Sequence, residues 1–157
     1  MPKTTDAVAQ ACAKIEIQPG CTGTWYDISG EANTATLPKE VVTTGSMAVF
    51  DDDTHVLTSG KKEPLTVTVG IVYTETAGEA WELTRAAWAV AGCSKLMCLR
   101  LTPQGGSIGD LEINVGDAQN KALLVGFKPP DLAAGSGEPA MAEFDIFGNY
   151  NYDVKAS

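Results

Sequence analysis

Leu65-Thr66-Val67-Thr68-Val69-Gly70-Ile71-Val72-Tyr73 places an apolar side chain at every second position over nine residues. Side chains of an extended chain point alternately to opposite faces. The pattern therefore predicts a strand with one face on a core and its threonines turned outward or toward a neighbouring subunit. Shorter alternations lie on both sides of it: Ile15 and Ile17 against Lys14 and Glu16, then Trp25 to Ile28, Met97-Leu99-Leu101, Leu111-Ile113-Val115 and Leu123-Val125-Phe127. Phe144 and Ile146 alternate with Glu143 and Asp145, and Tyr150, Tyr152 and Val154 continue as a final strand or an extended tail. Gly or Pro marks most of the breaks, as at Pro19-Gly20, Gly105-Gly106, Gly116-Asp117 and Pro129-Pro130. The chain reads as mainly β.

One segment departs from this period. Over residues 79–91 the apolar spacing becomes helical, with Trp81, Leu83, Ala87, Trp88 and Val90 on one broad side. Thr76-Ala77-Gly78-Glu79 has the T-x-x-E form of a capping box, and Gly92 is a natural stop. A helix this short depends on packing against the sheet, and Trp81, Leu83 and Trp88 are the expected contacts. The stretch Gly45 to Pro64 is the least regular, and it reads as a long loop. It holds Asp51, Asp52, Asp53 and His55 at one side and Lys61 and Lys62 at the other, and long loops in compact domains tend to be functional or mobile.

The chain's 157 residues suit one domain, able to bury roughly 70% of the surface its unfolded form exposes. Eleven Lys and Arg against twenty Asp and Glu give a net charge of −9, which opposes binding to a phosphate backbone through a basic face. The longest uncharged apolar stretch, Ala86 to Gly92, falls far short of the roughly 18 residues of a membrane span. The first residues are too polar for a secretory signal, so synthesis and folding in a cytosol are expected. Cys12, Cys21, Cys93 and Cys98 are then expected as buried, reduced thiols. Neither C-x-x-C spacing nor a nearby His supports a zinc site.

Signs of catalysis are sparse. His55 is the sole histidine, and no G-x-S-x-G elbow, phosphate-binding loop or dinucleotide-binding glycine pattern occurs. Asp51-Asp52-Asp53 lacks the alternate spacing and closing Glu of a calcium loop and reads as a solvated acidic turn. Gly105-Gly106-Ser107-Ile108-Gly109 precedes a strand rather than a helix, so a hairpin turn accounts for it better than a phosphate cradle. No catalytic residue, cofactor or metal site is assigned.

The order of features is more informative than any one motif. Trp25-Tyr26-Asp27-Ile28-Ser29-Gly30-Glu31 leads to a polar strand and the long stretch with Phe50-Asp51. The alternating strand ending Val72-Tyr73-Thr74-Glu75 and the aromatic-anchored helix follow. Leu99-Arg100-Leu101-Thr102-Pro103-Gln104-Gly105-Gly106 then leads through further strands to Phe144-Asp145-Ile146. Over residues 15–147 this series resembles the major tail tube proteins of long-tailed, non-contractile bacteriophages. The resemblance implies a β-sandwich or half-open barrel with one flanking helix. It further implies self-association into rings, hexameric in that family, whose sheets join edge to edge. Those rings stack into a virion tail tube that conducts DNA into the host without binding it specifically.

It implies, further, that residues 45–64 reach the adjacent ring, that residues 1–13 and 150–157 are arms on a single domain, and that tape measure, distal tail and terminator proteins are partners. Asp110, Glu112, Glu143 and Asp145, which alternate with apolar residues, are the candidates for a lumen lining. Two other classes fit the same alternation: a β-sandwich binding module of an adhesin, recognising a glycan or a surface, and a small hydrolase that would have to use His55.

Overall fold

The computed structural model describes Thr4 and residues 6–156. Leu65–Val72 (β6) buries Leu65, Val67, Val69 and Ile71 on one face and leaves Thr66 exposed on the other. It pairs antiparallel with Ala32–Thr36 (β3) on one side and Met141–Gly148 (β10) on the other; Leu123–Lys128 (β9) adds to β10, giving the order β3-β6-β10-β9. A second, five-stranded sheet is built from Lys14–Pro19 (β1), Tyr26–Asp27 (β2), Met97–Thr102 (β7), Leu111–Val115 (β8) and Tyr150–Val154 (β11), in the order β11-β8-β7-β1-β2. The sheets face each other across one core, with Ile17, Leu99 and Val115 on one side and Val67, Phe144 and Ile146 on the other. Each such fully buried side chain contributes roughly 1.5–3 kcal/mol. The fold is the mainly β sandwich with one helix that the periodicity predicts.

The helix is shorter than its apolar period, spanning Ala80–Trp88 (α1). Trp81 stacks on Phe127 at 4.8 Å and meets Tyr73 edge-on at 4.9 Å, while Trp88 lies 6.0 Å from the same Phe127. Leu83 packs against the core beside them. Phe127 of β9 is thus the ring on which the helix is seated. The capping box does not form. Glu79 occupies the N-cap position without a side-chain cap bond, because its carboxylate instead accepts from the Thr74 hydroxyl.

Three further expectations are corrected. Residues 45–64 are not an irregular loop: Val42–Ala48 (β4) and His55–Lys62 (β5) form a two-stranded hairpin standing apart from both sheets. Its strands lack a strict alternation because neither face meets a core, so the period that reveals other strands is missing here. Residues 150–154 are not an arm but β11, paired residue for residue with β8. Of the N-terminal arm, residues 1–3 and 5 lie outside the described residues, and Gln10–Cys12 form a single 3-10 turn before β1. In β9 the apolar set is also displaced. Val125 is an extra residue opposite the Asp145/Ile146 step, so Leu124 and Phe127 point inward while Leu123 and Val125 face out.

The cysteines differ most. Cys21 and Cys98 form a disulfide and are fully buried, whereas Cys12 and Cys93 are exposed and unpaired. The β1–β7 register sets Gln18 opposite Cys98, and the turn after Pro19 carries Cys21 back over that strand with φ of 56°. Gly116, in the left-handed region at φ 80°, lets the chain cross directly above; a Cβ there would sit 2.8 Å from the Cys98 sulfur. A bridge spanning 77 residues removes much unfolded-chain entropy, worth about 4 kcal/mol on the loop-closure estimate. Cys21→Ser combined with Cys98→Ser is therefore expected to lower Tm by on the order of 10 °C, and reductant should have a comparable effect on the native chain alone. Thermal melts of both proteins with and without dithiothreitol check this.

Candidate assembly surfaces

Strands β3 and β9 end the four-stranded sheet. At its start β9 is tied on its outer side, where the Leu124 amide donates to the Lys95 carbonyl and Leu123 bridges Leu96. Past that point neither end strand pairs with a further strand among the described residues. Open edges are sticky, because their unpaired N–H and C=O groups template further pairing. Their directions matter. Every neighbouring pair in this sheet is antiparallel, so across four strands β3 and β9 run in opposite directions. The β9 edge of one copy can therefore join the β3 edge of another, identically oriented copy and preserve the antiparallel alternation. The five-stranded sheet cannot do this. Its odd count makes its edge strands β2 and β11 run the same way, and β2 has only two residues.

The middle of the outer face of the four-stranded sheet, away from the core, is polar and carries small side chains, while Leu123, Val125 and Phe147 are exposed toward its β9 end. Thr34 and Thr36 lie beside Gly70 and Thr68, and Glu143 and Asp145 project from β10 on the same side. Asp145 accepts from the Thr68 hydroxyl at 2.7 Å and lies over Gly126, where a Cβ would come within 2.4 Å of the carboxylate. Asp110 and Glu112 are elsewhere. Asp110 accepts from the amides of Gly106 and Ser107, closing the turn between β7 and β8. Glu112 sits near Arg100 at 3.9 Å on the outer face of the five-stranded sheet. Arg100 there also pairs with Glu16 and lies over the Trp25 ring, 4.1 Å from its centroid. The four acidic candidates are thus split between two sheets.

The β4–β5 hairpin is exposed along its whole length. Strands of seven and eight residues reach roughly 25 Å. Asp51, Asp52 and Asp53 occupy the tip, His55 opens β5, and Lys61 and Lys62 lie at the foot, where Val42 pairs with Lys62. The Thr54 amide donates to Asp52 and holds its carboxyl below the usual range. Met47, Phe50, Val56 and Leu57 are exposed beside these charges, and Phe50 is exposed completely. An isolated two-stranded hairpin is marginal in water, and a group of exposed apolar side chains marks a contact surface.

Contacts at the foot tie the hairpin to the sandwich. The Tyr152 hydroxyl donates to Glu40 at 2.6 Å, which holds the phenol's proton more tightly than usual, and the Lys62 ammonium lies 5.4 Å from the Tyr150 ring centroid. Both tyrosines belong to β11, so the strand that sequence leaves ambiguous positions the hairpin. No clear sequence signal announces Glu40 or Phe50 as partners in this arrangement. Among the described residues, no group of three or more His, Cys, Asp or Glu is arranged to hold a metal ion, and His55 makes no side-chain hydrogen bond.

No protein-family model matches the sequence, and no curated protein matches it significantly. Solved structures share its fold. A chain of the extended sheath–tube complex of an extracellular contractile injection system (PVC) superposes with a TM-score of 0.71 at 9% identity, covering 96% of this chain and 94% of that one. A chain of the anti-feeding prophage tube-terminating cap gives 0.71 at 10% identity, over 99% and 96%. A chain from the tail of an empty gene transfer agent particle, refined helically with C6 symmetry, gives 0.61 at 12% identity, over 96% and 100%. At these identities the likeness concerns the fold.

Removing the hydroxyl at the hairpin foot should loosen the hairpin alone. Tyr152→Phe is expected to raise amide hydrogen exchange over residues 42–44 and 60–62 about fivefold, equivalent to about 1 kcal/mol for one partly solvated hydrogen bond. Exchange in β6 and β10 should stay unchanged, as measured by peptide-resolved mass spectrometry.

Proposed function

We propose that this chain is a structural, non-enzymatic subunit of a virion tail tube. Copies join through β3 and β9 into hexameric rings, and the rings stack into a conduit for DNA ejection. The observation that carries the reading is the opposed direction of the two open edges in the four-stranded sheet. That arrangement lets a ring close as one continuous antiparallel barrel, and closure removes both open edges of this sheet. The shared fold with chains of tube-containing particles supports the tube role, and the C6 symmetry of the gene transfer agent tail supports six copies. The ordered features that resemble non-contractile phage tail tubes favour that kind of tail, with tape measure, distal tail and terminator proteins as its partners.

In this reading the polar outer face of the four-stranded sheet is the lumen wall. Glu143 and Asp145 line it, while Asp110, in the β7–β8 turn, and Glu112, on the other sheet, do not. A wall of carboxylates and hydroxyls, on a chain of net charge −9, repels phosphates and lets DNA slide through unbound. The hairpin is the element that reaches the adjacent ring. Its Asp51, Asp52 and Asp53 meet Lys61 and Lys62 at the foot of the next copy, with His55 close by on β5. One exposed ion pair contributes only about 0.2–1 kcal/mol, so repetition around the ring is what makes the contact count.

Negative-stain electron microscopy across a concentration series, beside the light-scattering mass, tests the reading. Hollow tubes or stacked rings are expected from the native chain, and single rings or monomers from the variant with Asp51→Lys, Asp52→Lys and Asp53→Lys. A native chain that stays monomeric at every concentration contradicts the tube. A triple variant that forms tubes as readily as the native chain contradicts the charge pairing.

A further inference from the structure

An apolar groove of about 570 Å³ opens between the N-terminal segment, β3 and the inner side of the five-stranded sheet; Val8, Ala35, Leu37, Leu101 and Ile113 line it. It lies beside the open β3 edge, where the two sheets part. On the same chain Phe50 stands fully exposed at the hairpin tip. Phe50 and the groove are different surfaces, so a contact between them is either exchanged reciprocally within a two-fold pair or head-to-tail. Stacking of identically oriented rings calls for the head-to-tail form, which propagates from copy to copy.

We propose that this groove receives Phe50 from the hairpin of a second copy of this chain, a contact that rests on the tube reading and specifies its ring-to-ring joint. Burying a phenylalanine side chain removes roughly 150–250 Å² from water, a surface that nothing in its own subunit covers. Charge supports the same occupant. The groove ends at Leu37, and Lys39 follows two residues later, at the hairpin foot where Val42 pairs with Lys62. Lys61 and Lys62 lie at that same foot, and Asp51, Asp52 and Asp53 directly follow Phe50. Seating the aromatic ring brings the acidic tip to the basic foot. The acidic run alone does not select a site among the scattered lysines; the groove supplies the address.

Two variants test this, the first with the knob and groove left intact. In a Cys12→Ser, Cys93→Ser background, Asp51→Cys with Lys39→Cys is assembled and treated with a short bismaleimide. A ladder of covalent dimers, trimers and higher species is expected on a denaturing gel, with no ladder from either single-cysteine control. In parallel, Phe50→Ser, a change at an exposed site, is expected to raise the concentration needed for assembly at least tenfold while leaving the melting curve of the monomer unchanged. Assembly of the paired-cysteine protein without a ladder, or an unchanged assembly threshold for Phe50→Ser, overturns the groove contact and leaves the tube reading standing. A native chain that never assembles overturns both.

Discussion

An unpaired strand edge is a row of hydrogen-bonding groups that the subunit cannot satisfy by itself, and the four-stranded sheet has one at each end, that of β9 opening past the Leu123–Leu96 bridge. Much of the molecule is consistent with this constraint. Because β3 and β9 run in opposite directions, identical copies can complete each other's ladders without any strand reversing. The sheet's inner face is closed by the five-stranded sheet, so only its edges and its outer face are available to other copies. The middle of that outer face carries threonines, glycine and two carboxylates, with Phe147 and Leu123 exposed toward the β9 end.

The five-stranded sheet plays a different part. It supplies half of the core and holds the disulfide, and its edge strand β11 anchors the hairpin through Tyr150 and Tyr152. The division of labour follows from strand number and direction. One sheet ends in two oppositely directed edges; the other backs it, ties down the hairpin that leaves the sandwich, and carries a compact charged cluster around Arg100 on its outside. The helix is seated on the four-stranded sheet through Phe127, whose ring receives Trp81 and Trp88.

The core strands were legible in the sequence because one of their faces is dry. Leu65 to Val72 and Phe144 to Ile146 alternate for that reason, and the helix betrays itself by the Trp81–Trp88 spacing. What escaped has a physical reason in each case. The hairpin at 42–62 has no buried face, so its strands carry no strict period. Val125 breaks the β9 period by being an extra residue, a feature of pairing rather than of local sequence. The Cys21–Cys98 bridge depends on the β1–β7 register, and four cysteines alone permit several pairings. The acidic candidates were visible as alternating residues, but which sheet each belongs to follows only from topology. Phe50 and its groove are invisible until exposure and the gap between sheets are known.

Hydrogen exchange of the assembled particle against the monomer, resolved by peptide, addresses the edge-joining claim most directly. The account predicts new protection over residues 32–36 and 123–128 on assembly, with residues 26–27 and 150–154 gaining none beyond that conferred by the hairpin foot. Protection appearing at β2 and β11 while β3 and β9 exchange as freely as in the monomer would contradict it.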